Sequence, residues 1–209
     1  MILHSAFTVD NLHQTCANLE ASGVRFQKRL NDGRSNAIAF ALDPDGYWIE
    51  LLSLPAAATT NAQPNRESFR FNHTMLRVRN PEHSLQFYRS VLGMSLLRVH
   101  EVPEANFNLY YLAYRRAAKE HENHEALSQR EGILQLTWNY GTEIDGDFLG
   151  YHNGNDQPQG FGHICISVDD LDEACSRFED LHVNWKKRLT DGRMKNVAFI
   201  LDPDGYWVE

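Results

Sequence analysis

A histidine and a glutamate recur in this chain at one fixed spacing. Glu50 follows His4 by 46 residues, and Glu209 follows His163 by the same interval. An imidazole nitrogen and a carboxylate oxygen brought together suit zinc, nickel, cobalt or manganese and do not suit Cu(I). A carboxylate at such an ion can also take up a proton and return it. The three cysteines, Cys16, Cys165 and Cys175, stand at no zinc-ribbon spacing. They argue against a structural zinc site and read as reduced, mostly buried thiols. His121 and His124 fall in a charged insert, Arg116–Glu131, and read as solvated.

The spacing is the outer mark of a longer repeat. His4–Glu50 aligns with His163–Glu209 at a constant offset of 159, without a gap and with about half of the positions identical. A repeat of that length and separation is a duplicated module rather than a solenoid. Each copy opens with a strand (Ser5–Val9; Ile164–Val168) that ends at a predicted N-cap, Asp10 or Asp169. An amphipathic helix follows, with Leu12, Cys16 and Leu19, or Leu171, Cys175 and Phe178, on one face. Second strands open at Val24 and Val183, and third strands cover Ala37–Leu42 and Val197–Leu201. An Asp-Pro-Asp-Gly turn then leads into a fourth strand that ends at the glutamate.

Residues 73–139 give the same order without obvious identity. His73–Arg79 reads as a strand, Pro81 fits a first helical turn, and Ser84–Leu92 is a helix closed by Gly93. Met94–Val99, Phe107–Tyr114 and Gly132–Trp138 supply three strands. The expected fold is α+β, three βαβββ modules at residues 1–54, 70–144 and 161–209. A small-polar linker at 55–69 and a Gly/Asn/Asp-rich loop at 145–160 join them. Residues on the first and fourth strands of such a sheet can share its concave face.

With 209 residues, 42% of them hydrophobic and 23% charged, the chain is globular in composition. No apolar run approaches the ~20 residues of a membrane span, and the first residues lack the basic and apolar regions of a signal peptide. A net charge of −8 gives no electrostatic reason to expect nucleic acid. Neither nucleic acid nor a membrane is an expected partner, and the reduced thiols point to the cytoplasm; the small-molecule partner expected is the one that the resemblance below implies.

Several segments together resemble the glyoxalase I (lactoylglutathione lyase) family of the vicinal-oxygen-chelate superfamily, with its glyoxalase/bleomycin-resistance/dihydroxybiphenyl-dioxygenase-like modules. They are His73-Thr74-Met75-Leu76-Arg77-Val78, Tyr88–Met94, Phe107–Tyr114, Leu136–Glu143, Tyr151–Asn155, Gly160–His163 and Asp202–Glu209. The chain looks like the single-chain, four-module form from its second module onward. The resemblance implies one divalent metal ion per site, zinc first and nickel, cobalt or manganese as alternatives, with glutathione as co-substrate. His4, Glu50, His73 and Gln135 would be the ligands of one site between the first two modules here. His163 and Glu209 would be half of a second. The implied reaction isomerises the glutathione–methylglyoxal hemithioacetal to S-lactoylglutathione, with Glu50 as the base and Glu209 its counterpart. Arg77, Asn139, Lys28 and Arg34 would bind glutathione, and Val102, Phe107, Leu109 and Leu127 would line the apolar pocket.

Two departures stand out. Gln135 occupies a position where the family has a carboxylate, and Met1-Ile2-Leu3 replaces the usual Gly-Phe-Gly before the first histidine. An amide oxygen can ligate but cannot act as a base, so reduced turnover is expected. The alternatives are a metal- and glutathione-binding protein without turnover, or ring cleavage at a two-His, one-carboxylate iron site of His4, His73 and Glu50. An unpartnered last module would also favour self-association through residues 161–209.

Overall fold

The computed structural model describes residues 3–33, 37–54, 63–114 and 127–209. Strand β1 (His4–Val9) leads into helix α1 (Leu12–Ala21), then β2 (Phe26–Lys28), β3 (Ile38–Leu42) and β4 (Trp48–Ser53). The second unit is β5 (Arg70–Val78), α2 (Pro81–Gln86), β6 (Ser95–Val102), β7 (Phe107–Ala113) and β8 (Ile133–Asn139). The third is β9 (His163–Ile164), α3 (Leu171–Asp180), β10 (Trp185–Lys187), β11 (Phe199–Leu201) and β12 (Trp207–Val208). The βαβββ order therefore occurs three times. In each unit the first and last strands pair in parallel.

The first two units share one sheet, with strand order β2-β3-β4-β1-β5-β8-β7-β6. Antiparallel pairing of β1 with β5 makes the joint. The third unit forms its own four-stranded sheet, β10-β11-β12-β9.

The helix starts differ by one residue from those read in the sequence. Asn11, not Asp10, caps α1 by accepting from the Gln14 amide at 3.1 Å. Asp170, not Asp169, caps α3 by accepting from Glu173 at 2.9 Å. Asp10 is taken up elsewhere, accepting from the Asn65 amide at 2.9 Å. Helix α2 starts at Pro81 behind an Asn80 cap, earlier than expected, and continues through a π-helical turn at Phe87–Val91. Gly93 closes it in the left-handed region, at φ 75°.

Strand β9 is shorter than the predicted Ile164–Val168. In the first unit, Phe7–Val9 is held as strand by Leu51–Ser53 of β4. In the third unit the paired residues are His163 and Ile164 against Trp207 and Val208, and Glu209 adds one backbone bond each to Ile164 and Ile166.

Two cores hold these layers. Val9, Leu12, Cys16, Ala39 and Leu51 pack between α1 and its sheet. The larger core joins the second and third units, with Leu76, Val78, Tyr88, Leu112 and Leu136 against Ile200, Tyr206 and Val208. Within it the Tyr88 hydroxyl donates to Asp202 at 2.8 Å. The cysteine expectation is corrected here: Cys16 is buried, but Cys175 is half-buried and Cys165 exposed. Among the described residues no helix is long and apolar enough to cross a membrane.

Candidate metal centre

Register alone brings the candidate residues to one face. Ala6 of β1 lies opposite both Glu50 of β4 and His73 of β5. His4, two residues earlier, lies opposite Trp48 and Met75. Side chains two apart on a strand, and those directly opposite across a ladder, point the same way. His4, Glu50 and His73 therefore converge. Glu50 Oε2 lies 3.0 Å from His4 Nε2 and 3.1 Å from His73 Nε2. The two Nε2 atoms are 3.2 Å apart.

All three residues are buried, at 9%, 8% and 2% exposure for His4, Glu50 and His73. Phe40 packs edge-on against the His4 ring, and Tyr111 against that of His73. Burial works to raise the Glu50 pKa, but hydrogen bonds from the two imidazoles and their charge hold it down to about 2. Glu50 is therefore ionised at neutral pH. Burial and the Glu50 charge push the Tyr111 hydroxyl up to about 12.

The donor set fits a divalent cation. Three lone-pair donors converge on one small, buried volume, and two imidazole nitrogens 3.2 Å apart need a proton or an ion between them. Two nitrogens and a carboxylate oxygen match the borderline ions named above. Among the described residues no other His, Cys, Asp and Glu group of three or more gathers in this way.

Gln135 of β8 lies opposite Met75 and Tyr111, on the same face, and is buried. Its amide Nε2 lies 3.5 Å from Thr137 Oγ1. The same register carries Arg77, Asn139, Leu109, Phe107 and Val102 on that face, and Lys28 through Phe40 and Glu50. Arg77 donates to Asn139 Oδ1 at 3.0 Å, and the Asn139 amide to the Tyr151 hydroxyl at 3.0 Å. Lys28 Nζ donates to the Ile38 carbonyl at 2.9 Å. Leu127 is half-buried on a 3₁₀ turn, Leu127–Gln129. Arg34, His121 and His124 lie outside the described residues.

His163 and Glu209 pair at 2.8 Å, but their side chains are 39% and 23% exposed. Among the described residues they gather no third ligand. Two residues at the site were not singled out in the sequence: Tyr111, against the His73 ring, and Asn72, whose Oδ1 lies 2.8 Å from His73 Nδ1. Continuing the alternation Phe107, Leu109 by one step would have found Tyr111. No local pattern marks Asn72.

Paired βαβββ units with a buried His-Glu-His set on one face of the shared sheet define a class. The chain belongs to the Glyoxalase/Bleomycin resistance protein/Dioxygenase superfamily, whose family model matches residues 1–51 and 70–209. It is 51% identical over 207 residues to a lactoylglutathione lyase of Schizosaccharomyces pombe, covering 99% of this chain and 65% of that protein. It is 51% identical over 164 residues to a lactoylglutathione lyase of Pseudomonas putida, covering 77% of this chain and 94% of that one. The solved structure of glyoxalase I from Zea mays superposes with a TM-score of 0.69 at 26% identity, covering 98% of this chain and 65% of the maize chain. The chain thus spans just under two thirds of the length of the fission-yeast and maize proteins.

Proposed function

We propose that the chain is a metal-dependent lactoylglutathione lyase that isomerises the hemithioacetal of glutathione and methylglyoxal to S-lactoylglutathione. The observation that carries this reading is the convergence of His4, Glu50 and His73 on the face that also presents Arg77, Asn139 and the apolar Phe107 and Leu109. The names of the relatives support it. A divalent ion, zinc first, held by His4, Glu50 and His73 would act there as a Lewis acid toward two adjacent substrate oxygens. Gln135 is the fourth ligand in this reading, through its amide oxygen.

In this reading the Glu50 carboxylate, between the two imidazoles, accepts the proton from the carbon next to the carbonyl and returns it to the neighbouring carbon. Arg77 and Lys28 answer the two carboxylates of glutathione, Arg77 with a planar fork that Asn139 holds in place. Arg34 joins them in the same role. Val102, Phe107, Leu109 and Leu127 take the small aldehyde-derived group and keep water from it. His163 and Glu209 form half of a second site of the same kind, with Glu209 in the position of the base.

The test is Glu50→Gln, assayed for lactoylglutathione formation with zinc present. A fall of about 10²-fold or more is expected, the low end for a general acid–base group. Activity within about threefold of the parent overturns the assignment. Gln135 favours one second reading, a protein that binds metal and glutathione without turnover. Tight zinc binding by an inactive parent would establish that reading instead.

A further inference from the structure

We infer that Asn72 is a positioning residue for His73: its side-chain amide fixes which nitrogen of His73 carries the proton and ties the Leu127–Arg130 segment to the metal centre. The inference rests on the metal-centre reading above and deepens it.

Neighbouring residues of a regular strand point to opposite faces, so residues 72 and 73 would ordinarily not meet. Strand β5 is not regular here. Ala6 lies opposite His73, but the next residue, Phe7, lies opposite Phe71, which leaves Asn72 as the extra residue of a β-bulge. A bulge re-aims a side chain. This one brings Asn72 Oδ1 to 2.8 Å from His73 Nδ1. Asn72 is 3% exposed, so every polar atom of its amide needs a partner.

The protonation state follows by elimination. Asn72 Nδ2 lies 2.7 Å from the Leu127 carbonyl and 2.8 Å from the Arg130 carbonyl. Carbonyl oxygens only accept, so the NH₂ end of the amide must face them. Oδ1 therefore faces His73, and as an oxygen without a proton it too only accepts. Nδ1 is the donor. With Nδ1 holding its proton, Nε2, 3.1 Å from Glu50 Oε2, is the nitrogen that can change state: it carries a second proton toward Glu50 when no ion is bound and gives up that proton to ligate a cation. The residue before the histidine is Leu3 in the first module and Gly162 in the third, so the device belongs to His73 alone. It also joins two parts of the site, because the segment that carries Leu127 and the ring of His73 hang on one amide.

The experiment combines zinc affinity, read by competition with a chromophoric chelator, and nitrogen-15 NMR of the His73 ring in the full chain. In the parent a slowly exchanging Nδ1 proton is expected with and without zinc, and zinc should coordinate Nε2. Asn72→Leu should weaken zinc binding about 10–100-fold, the usual effect of losing an outer partner of a metal-bound histidine. Asn72→Asp keeps an acceptor for Nδ1–H and should stay within about threefold of the parent. A folded Asn72→Leu chain that binds zinc as the parent does overturns the inference. So does an Asn72→Asp chain that loses as much affinity as Asn72→Leu, or zinc coordinated through Nδ1. If Asn72→Leu fails to fold, the parent spectrum and Asn72→Asp still decide. A parent that binds no zinc yet keeps the Nδ1 proton overturns the metal reading and supports the hydrogen-bond assignment.

Discussion

Asp202→Asn tests how the third module is anchored on the second. Asp202 sits in the turn after β11, 3% exposed. Its Oδ1 accepts from the amides of Tyr206 at 2.8 Å and Asp204 at 3.0 Å, and its Oδ2 from the Tyr88 hydroxyl at 2.8 Å. Burial outweighs these bonds, the nearby Asp204 charge adds to it, and the carboxyl is pushed up from 3.8 to about 7. An acid that holds its proton more tightly folded than unfolded stabilises the fold fully below its unfolded value. That contribution is lost as the pH rises through about 7. At about 1.36 kcal/mol per pH unit, the group supplies of the order of 4 kcal/mol between pH 3.8 and about 7, of which about 2 to 3 kcal/mol falls above pH 5.

Asparagine is the neutral form at every pH. Its oxygen can keep both backbone bonds, and its amide can face a Tyr88 hydroxyl that turns to accept. Urea unfolding followed by tryptophan fluorescence at several pH values reads the outcome. The parent should lose stability between pH 5 and 8, and the variant should lose less and equal or exceed the parent at pH 8. Glu50 does not disturb this window, because its pKa is lowered to about 2 and its contribution is lost only as the pH falls toward that value. A variant that keeps the parent's slope and is destabilised at pH 8 by more than about 2 kcal/mol would refute the reasoning, since that loss belongs to a broken charged hydrogen bond.

Three further outcomes are expected. Gln135→Glu puts an acidic oxygen among the site residues and should raise zinc affinity and isomerase activity; no change in either would place residue 135 outside the working site. Arg77→Ala removes the donor to Asn139 and should raise KM for the glutathione adduct about tenfold or more while kcat changes less, consistent with about 1.5–3 kcal/mol for a charge-assisted hydrogen bond. Equal KM values would remove Arg77 from substrate binding. Light scattering at micromolar concentration, with and without zinc, should show association beyond 24.0 kDa through the face that exposes His163 and Glu209; a monodisperse monomer under both conditions would dismiss it.

The parts legible in the sequence are those set by short-range pattern or by the repeat. Pro81 and Gly93 bracket a helix because Pro81 locks its own φ and Gly93 can take the positive φ of a helix end, and both do so here. The repeat made His4 and Glu50 legible, since one spacing found twice is worth more than two isolated residues. What escaped depends on distant partners. Asp10 and Asn11 are both good caps, and only the Asn65 amide, 55 residues away, settles which one is engaged elsewhere. The bulge at Asn72 exists because β5 pairs with β1 out of step, and no property of residues 71–73 announces it. The length of β9 is set by how far β12 extends beside it, which is likewise not a local property.

The two copies of the repeat isolate what turns a His–Glu pair into a site. Both carry the same residues at the same spacing on parallel first and fourth strands, and both pairs close to hydrogen-bond distance, 3.0 Å in one and 2.8 Å in the other. The local sequence is therefore sufficient for the pair. It is not sufficient for the environment. Strand β1 has β5 along its other edge, and through β5 come His73, the Tyr111 ring and half of an eight-stranded sheet. Strand β9 pairs with β12 alone among the described strands. Burial follows the second edge: the His4 and Glu50 side chains are 8% and 10% exposed, those of His163 and Glu209 39% and 23%. A water-accessible imidazole and carboxylate are screened and attract a cation weakly, whereas the same groups covered by the second unit's half of the sheet act at low effective dielectric. Sheet joining at the β1–β5 edge, rather than the His–Glu motif, is thus the step that adds His73 and buries the pair.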